Sequence, residues 1–223
     1  MKKLFSWVTK IYAKTLGKWH VPYNHKLFNL NDYFKIEEKL KELEVPFAIG
    51  LVTTYGNGSN LGIVLGNKLS KDKRKRKSKK THLFIYAGSM EGHKFRVVEQ
   101  VGTGLQNTSL LCAIGQKDEV MIRIPNKKFI ADPTSKLVIE YVSNLLDKDD
   151  VTPIPYDNAH RLDMDDTSDC SGLLWQALTY AFNELELENL LKTVDRIGIE
   201  TYAPVDAEFS KLFTTIYDNG FVE

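Results

Sequence analysis

Asp169-Cys170-Ser171-Gly172-Leu173-Leu174-Trp175 marks the point where a polar loop gives way to an apolar helix. The loop runs from Thr152 to Asp169, and the helical pattern from Ser171 to about Lys192. Cys170 is therefore expected at or just before a helix N-terminus. Orphan backbone amides and the positive end of the helix dipole meet there, and both stabilise a thiolate. The same amides are expected to donate to a developing oxyanion. Asp165, Asp166 and Asp169 work the other way, because carboxylates disfavour a second negative charge nearby. The competing reading is a small core cysteine on an amphipathic helix. The loop-to-helix junction favours the nucleophile.

A nucleophilic thiol needs a base. Of the five histidines, His82 begins the apolar run His82-Leu83-Phe84-Ile85-Tyr86, a strand pattern. A second strand is expected over Phe95–Val101, joined to the first by Gly88-Ser89-Met90-Glu91-Gly92. A turn centred between Met90 and Glu91 sets His82 directly opposite Glu99, at the cross-strand spacing of about 4.5–5.5 Å. Alternation places Glu99 on the face of Phe95, Val97 and Val101, where a carboxylate is costly unless paired. An imidazolium suits it, and a base oriented by a third group follows. The competing reading is an exposed edge hairpin with both side chains in solvent. A slip of one residue would turn one strand over.

Outward from these segments the chain reads as mixed helices and strands, an α+β pattern with an antiparallel sheet. Strands are expected over Phe47–Thr54 and Met121–Ile124. A helix opens at Asp132-Pro133 and is expected to end at Asp147-Lys148-Asp149-Asp150. A last helix is expected over Asp206–Tyr217. At the N-terminus, Leu4, Trp7, Val8, Ile11, Tyr12 and Leu16 recur at helical spacing, and a second helix is expected from Asn31 or Asp32 to Glu44. Residues 1–45 thus read as a helical extension on a main domain of residues 46–223.

The 223 residues carry 30 Lys+Arg against 29 Asp+Glu, a net charge of +1, which excludes a globally basic nucleic-acid binder. Two cysteines, Cys112 and Cys170, can form neither a tetrahedral thiolate metal site nor a disulfide framework, and they fit a reducing compartment. No apolar run is long enough for a secretory signal or a membrane span, so a cytoplasmic location is expected. No cofactor and no metal are expected, since the Asp and His residues show no ligand spacing. Cys112 reads as a buried core cysteine. Gly102-Thr103-Gly104 lacks the strand–loop–helix setting of a phosphate loop. His160 is a rival base; His93 reads as solvated, and His20 and His25 lie in the extension. The run Lys71-Asp72-Lys73-Arg74-Lys75-Arg76-Lys77-Ser78-Lys79-Lys80 holds eight basic residues in ten without interleaved aromatics. It reads as a solvated, mobile loop rather than a nucleic-acid site.

In this order, the segments resemble the NlpC-type papain-like cysteine peptidase superfamily, in its circularly permuted YiiX-like branch. The string Asp169–Leu173 is similar to the family's nucleophile motif, and Ile154-Pro155-Tyr156-Asp157 resembles its Pro-Tyr element. Thr81–Gly88 resembles the branch's histidine strand and Val97–Gly102 the following strand with its acidic residue. The resemblance covers residues 47–182. The basic run before His82 departs from the pattern, and residues 1–45 have no counterpart in it.

The resemblance implies a papain-like fold with an antiparallel sheet against helices. It assigns Cys170 as nucleophile, His82 as general base and then acid, Glu99 as orienter and Tyr156 at the oxyanion region. It implies a cysteine amidase or peptidase acting on a small peptide-like or lysine-containing amide. The alternatives are a thiol acyltransferase or lipid-ester hydrolase, and a catalytically idle binding module on the same fold.

Overall fold

The computed structural model describes residues 30–53, 63–64, 67–68, 70–88, 96–115, 117, 119–151, 153–156, 162, 169–195 and 200–220. Eight strands lie among them: β1 Ala48–Val52, β2 His82–Tyr86, β3 Arg96–Val101, β4 Gly104–Ser109, β5 Val120–Pro125, β6 Val194–Asp195, β7 Glu200–Thr201 and β8 Phe213–Asp218. Five α-helices accompany them: α1 Leu30–Glu42, α2 Leu110–Ile114, α3 Asp132–Val151, α4 Cys170–Glu184 and α5 Pro204–Glu208. Six strands form one antiparallel sheet in the order β4-β3-β2-β1-β5-β8, and β6 and β7 pair separately. The fold is α+β.

Apolar residues on both faces of the central strands explain the layers. Ile49, Leu51, Leu83, Ile85 and Val98 meet Val138 and Val142 of α3 and Leu173, Leu174, Ala177, Leu178 and Phe182 of α4. On the other face, Ala48, Val52, Phe84, Tyr86 and Val97 meet Ile36 and Leu40 of α1 and Leu110 and Ile114 of α2. Each fully buried Leu, Ile or Phe contributes roughly 1.5–3 kcal/mol relative to exposure. A continuous apolar strand such as β1, buried at all five positions, is what a sheet covered on both sides requires. Gly50 faces Phe84 across the β1–β2 ladder, and a Cβ there would lie 1.8 Å from a ring carbon. Only glycine leaves the ring its place.

Several expectations change on the structure. Gly102-Thr103 is the two-residue turn of the β3–β4 hairpin, closed by the pair Val101–Gly104, and Gly104 has φ +119°. Strand β4 and helix α2 follow, two elements absent from the sequence-based expectations. Cys112 is exposed on α2, not buried, because Leu110, Ala113 and Ile114 take the inward positions of that short helix. Helix α3 continues through the acidic run to Val151, and α4 stops at Glu184.

The expected helix over 206–217 is instead the short α5 followed by β8. Phe213-Thr214-Thr215-Ile216-Tyr217 is β-branched and aromatic, and it pairs with the open edge of β5. The buried Arg123 guanidinium donates to the carbonyl oxygens of Ala207, Ser210 and Phe213, which a continuous helix would need for itself.

The basic run is not a mobile loop. A 3-10 turn at Lys75–Lys77 is docked on the body: Lys75 Nζ lies 2.6 Å from Asp206 Oδ1, and the Ser78 hydroxyl donates to Glu208. Lys80 is buried, its ammonium 3.6 Å from Glu119 Oε2. Acidic partners distant in sequence, invisible to local pattern, hold the segment. The helical spacing of residues 3–16 lies outside the described residues.

Candidate active site

Helix α4 begins at Cys170 with Asp169 as its cap. Asp169 Oδ1 accepts from the backbone N–H of Ser171 at 2.8 Å, from that of Gly172, and from the Ser171 hydroxyl at 3.0 Å. The Asp169 carbonyl accepts the first helical bond, from Leu173 at 3.0 Å. This is what a buried Asp does at an N-cap. It also corrects one expectation. The Ser171 and Gly172 amides are taken by the cap, so of the first turn only the N–H of Cys170 itself remains without a partner among the described residues. The Ser171 and Gly172 amides are therefore engaged by Asp169 rather than open to an oxyanion.

Strand β2 supplies His82. Thr81 N–H bonds to Val52 O at 3.0 Å, and Val52 pairs with His82, which fixes the start of β2 against β1. The β2–β3 ladder consists of Ile85–Val98 and Tyr86–Val97. Continued in the same register, it sets Phe84 opposite Glu99 and His82 opposite Val101. The expected register, with His82 directly facing Glu99, is therefore wrong by two residues. Residues 89–95 of the connection lie outside the described residues. A shift of two keeps the side-chain parity, so Glu99 becomes the diagonal neighbour of His82, within reach of long side chains. Nε2–H of His82 meets Oε2 of Glu99 at 2.7 Å.

Helix α4 packs across both β2 and β3, and Cys170 at its start is coupled electrostatically to the imidazole. Burial works to push the His82 pKa down, but charge and hydrogen bonding from Cys170, with the same from Glu99, outweigh it and raise it to about 9. With Nε2 engaged by Glu99, Nδ1 is the ring nitrogen left for the thiol. The side chains of His82 and Glu99 are 13% and 11% exposed, and Cys170 is 2% exposed, so the three groups interact in a largely water-excluded setting.

Tyr156 is half-buried at the end of the segment 153–156. Gln100 Nε2 donates to Ile154 O at 3.0 Å and holds this segment on β3, the strand that carries Glu99. The rival histidines His20, His25, His93 and His160, with Asp165 and Asp166, lie outside the described residues. A further ionisable group stands near the site. Lys117, half-buried just beyond α2, feels burial pushing its pKa down and the charge of Glu99 pulling it up. A single lysine after Gly115-Gln116 carries no pattern that could have announced it.

Among the described residues, no three His, Cys, Asp or Glu side chains are grouped to hold a metal ion. No described helix is long and apolar enough to cross a membrane. The groups brought together are a thiol, an imidazole and a carboxylate, in the order a nucleophile, its base and the orienter of that base require. No family model, curated protein or solved structure matches the chain.

Proposed function

We propose that this chain is a cysteine-dependent amidase or peptidase that acts through an acyl-thioester on a small peptide-like or lysine-containing amide. One observation carries the reading: His82 is held by Glu99 at 2.7 Å and interacts with Cys170 at the first turn of α4. The order of the parts supports a circularly permuted papain-like fold, since the strands bearing base and orienter precede the nucleophile's helix and pack against it. The substrate class comes from the family resemblance.

This reading implies the following steps. The Cys170 thiolate attacks the carbonyl carbon, and the π electrons move onto oxygen. The Cys170 N–H and the Tyr156 hydroxyl stabilise that oxyanion. The C–N bond then breaks as the His82 imidazolium gives its proton to the departing amine, leaving an acyl-thioester. Neutral His82 next removes a proton from water, hydroxide adds to the thioester carbonyl, and the C–S bond breaks with the thiolate and the imidazolium restored. Glu99 keeps the ring oriented and stabilises its cation in both halves.

The test compares the two cysteines. Cys112 is exposed and Cys170 buried, so access alone would make Cys112 react first. Iodoacetamide near neutral pH is expected to alkylate Cys170 faster, with the rate reduced in His82→Ala. Equal or slower labelling of Cys170, unaffected by that change, would support an idle binding module. A second reading, a thiol acyltransferase or lipid-ester hydrolase, is favoured by the cationic segment 71–80 that precedes His82 in the chain. Mass spectrometry of the acyl-enzyme in water, then with an amine or lipid acceptor, separates the two: transfer without hydrolysis eliminates the amidase.

A further inference from the structure

The docked basic segment presents a surface of its own. Lys75, Ser78 and Lys80 point inward to Asp206, Glu208 and Glu119. Lys71, Lys73 and Lys77 are exposed and have no acidic partner among the described residues. The side chains of Arg74 and Lys79 are 69% and 60% exposed, although each has an acidic neighbour, Asp72 and Glu119. The whole chain has a net charge of only +1, so this density of cations is local. It is also held in place, because the anchors Lys75, Ser78 and Lys80 tie the segment to the body. The segment ends two residues before His82.

The sequence contains a second cationic stretch. Residues 1–31 hold six lysines and no Asp or Glu. There Leu4, Trp7, Val8 and Ile11 recur on one stripe of the helical period, with Lys3, Lys10 and Lys14 along its flank. Lysines bordering a stripe that carries Trp and Leu are what a lipid interface takes up. Nucleic acid calls for aromatic platforms among the cations. On the described surface the Phe209 ring is covered by Arg74, whose guanidinium carbon lies 5.5 Å from its centroid.

We propose that the face formed by Lys71, Lys73 and Lys77 docks this protein on an anionic lipid surface. The proposal goes beyond the catalytic reading and does not depend on it, since the lysines act on lipid phosphate through charge. A cation close to an anionic bilayer strengthens binding about fivefold, and its effect fades over a Debye length.

The experiment is co-sedimentation of the full chain with vesicles of phosphatidylcholine mixed with phosphatidylglycerol, and with vesicles of phosphatidylcholine alone. Binding is expected to the mixed vesicles only and to weaken as NaCl rises. The triple variant Lys71→Gln, Lys73→Gln, Lys77→Gln is expected to bind roughly 10²-fold more weakly and Lys77→Gln alone about fivefold. Both variants should keep the melting temperature and the Cys170 alkylation rate of the parent. Cys170→Ala should sediment like the parent, which separates this result from any failure of the catalytic reading. No binding to mixed vesicles, or equal binding by parent and triple variant, overturns the proposal. So does single-stranded RNA that binds tighter than vesicles and is lost in the triple variant, which would assign the face to nucleic acid.

Discussion

Replacing Glu99 with Gln removes one charge and almost no volume, so it isolates what the carboxylate does for His82. In the parent, Nε2–H of His82 donates to Oε2 of Glu99 at 2.7 Å, and the His82 pKa stands at about 9 against an ordinary 6.5. The raised value keeps the ring protonated through neutral pH, and the proton leaves as pH rises through about 9. Chemistry that needs the imidazolium therefore has its alkaline limb there. A hydrogen bond to a charged group is worth about 1.5–3 kcal/mol, and one pKa unit is 1.36 kcal/mol, so losing the charge lowers the pKa by about 1–2 units. The Gln oxygen still accepts from Nε2–H, so the ring stays oriented. Cys170 still acts on the ring, so the pKa does not return all the way to 6.5.

The assay is the NMR titration of the His82 imidazole, or turnover once a substrate is found, followed from about pH 5 to pH 10. The midpoint in Glu99→Gln, or the alkaline limb of turnover, is expected between about pH 7 and pH 8. Glu99→Ala should show the same displacement with a further loss of turnover at every pH, because the ring is then also free to turn. A midpoint or limb that stays near pH 9 in both variants would refute the argument, since Glu99 would then have no electrostatic hold on the base.

Two other substitutions test the frame around the site. Asp169→Ala leaves the buried Ser171 and Gly172 amides without their acceptor. It is expected to cost about 1–2 kcal/mol, a fall of roughly 2–8 °C in melting temperature for a chain of this length, measured by circular dichroism. Asp169→Asn, which keeps an acceptor oxygen, should recover most of the loss. Gly50→Ala drives a methyl into the Phe84 ring at 1.8 Å, in a sheet with no room to yield. About 1–3 kcal/mol of destabilisation in urea is expected, partly relieved when Phe84→Leu is added, and an unchanged midpoint would contradict this packing.

What the sequence disclosed and what it hid divide along the distance between interacting residues. The start of α4 was legible because a polar loop, a capping Asp and an apolar period meet within seven residues. The strands at 82 and 96 were legible because β-branched and aromatic residues cluster there. The β2–β3 register was not, because it depends on a connection of several turn-prone residues with no single required geometry. The docked state of residues 71–80 was hidden further still. Its partners Asp206, Glu208 and Glu119 lie some 40 to 130 positions away, and in isolation eight cations in ten residues repel one another. The strand at Phe213–Asp218 was missed for a related reason. Its neighbours allow a helix, and only the Arg123 guanidinium and the free edge of β5 decide against it.

The pairing of His82 with Glu99 survived an error in register because parity, not direct opposition, determines which side chains can meet across a ladder. A one-residue error would have sent Glu99 to the opposite face and removed the orienter. A two-residue error moved it to the diagonal position, which a Glu side chain spans. The length of the acidic side chain then matters. Asp at position 99 has one methylene fewer and would fall short from the diagonal, whereas from the directly opposed position it would reach. The observed register thus accounts for Glu rather than Asp at this place, and it makes Glu99→Asp a sharper probe of strand alignment than of charge.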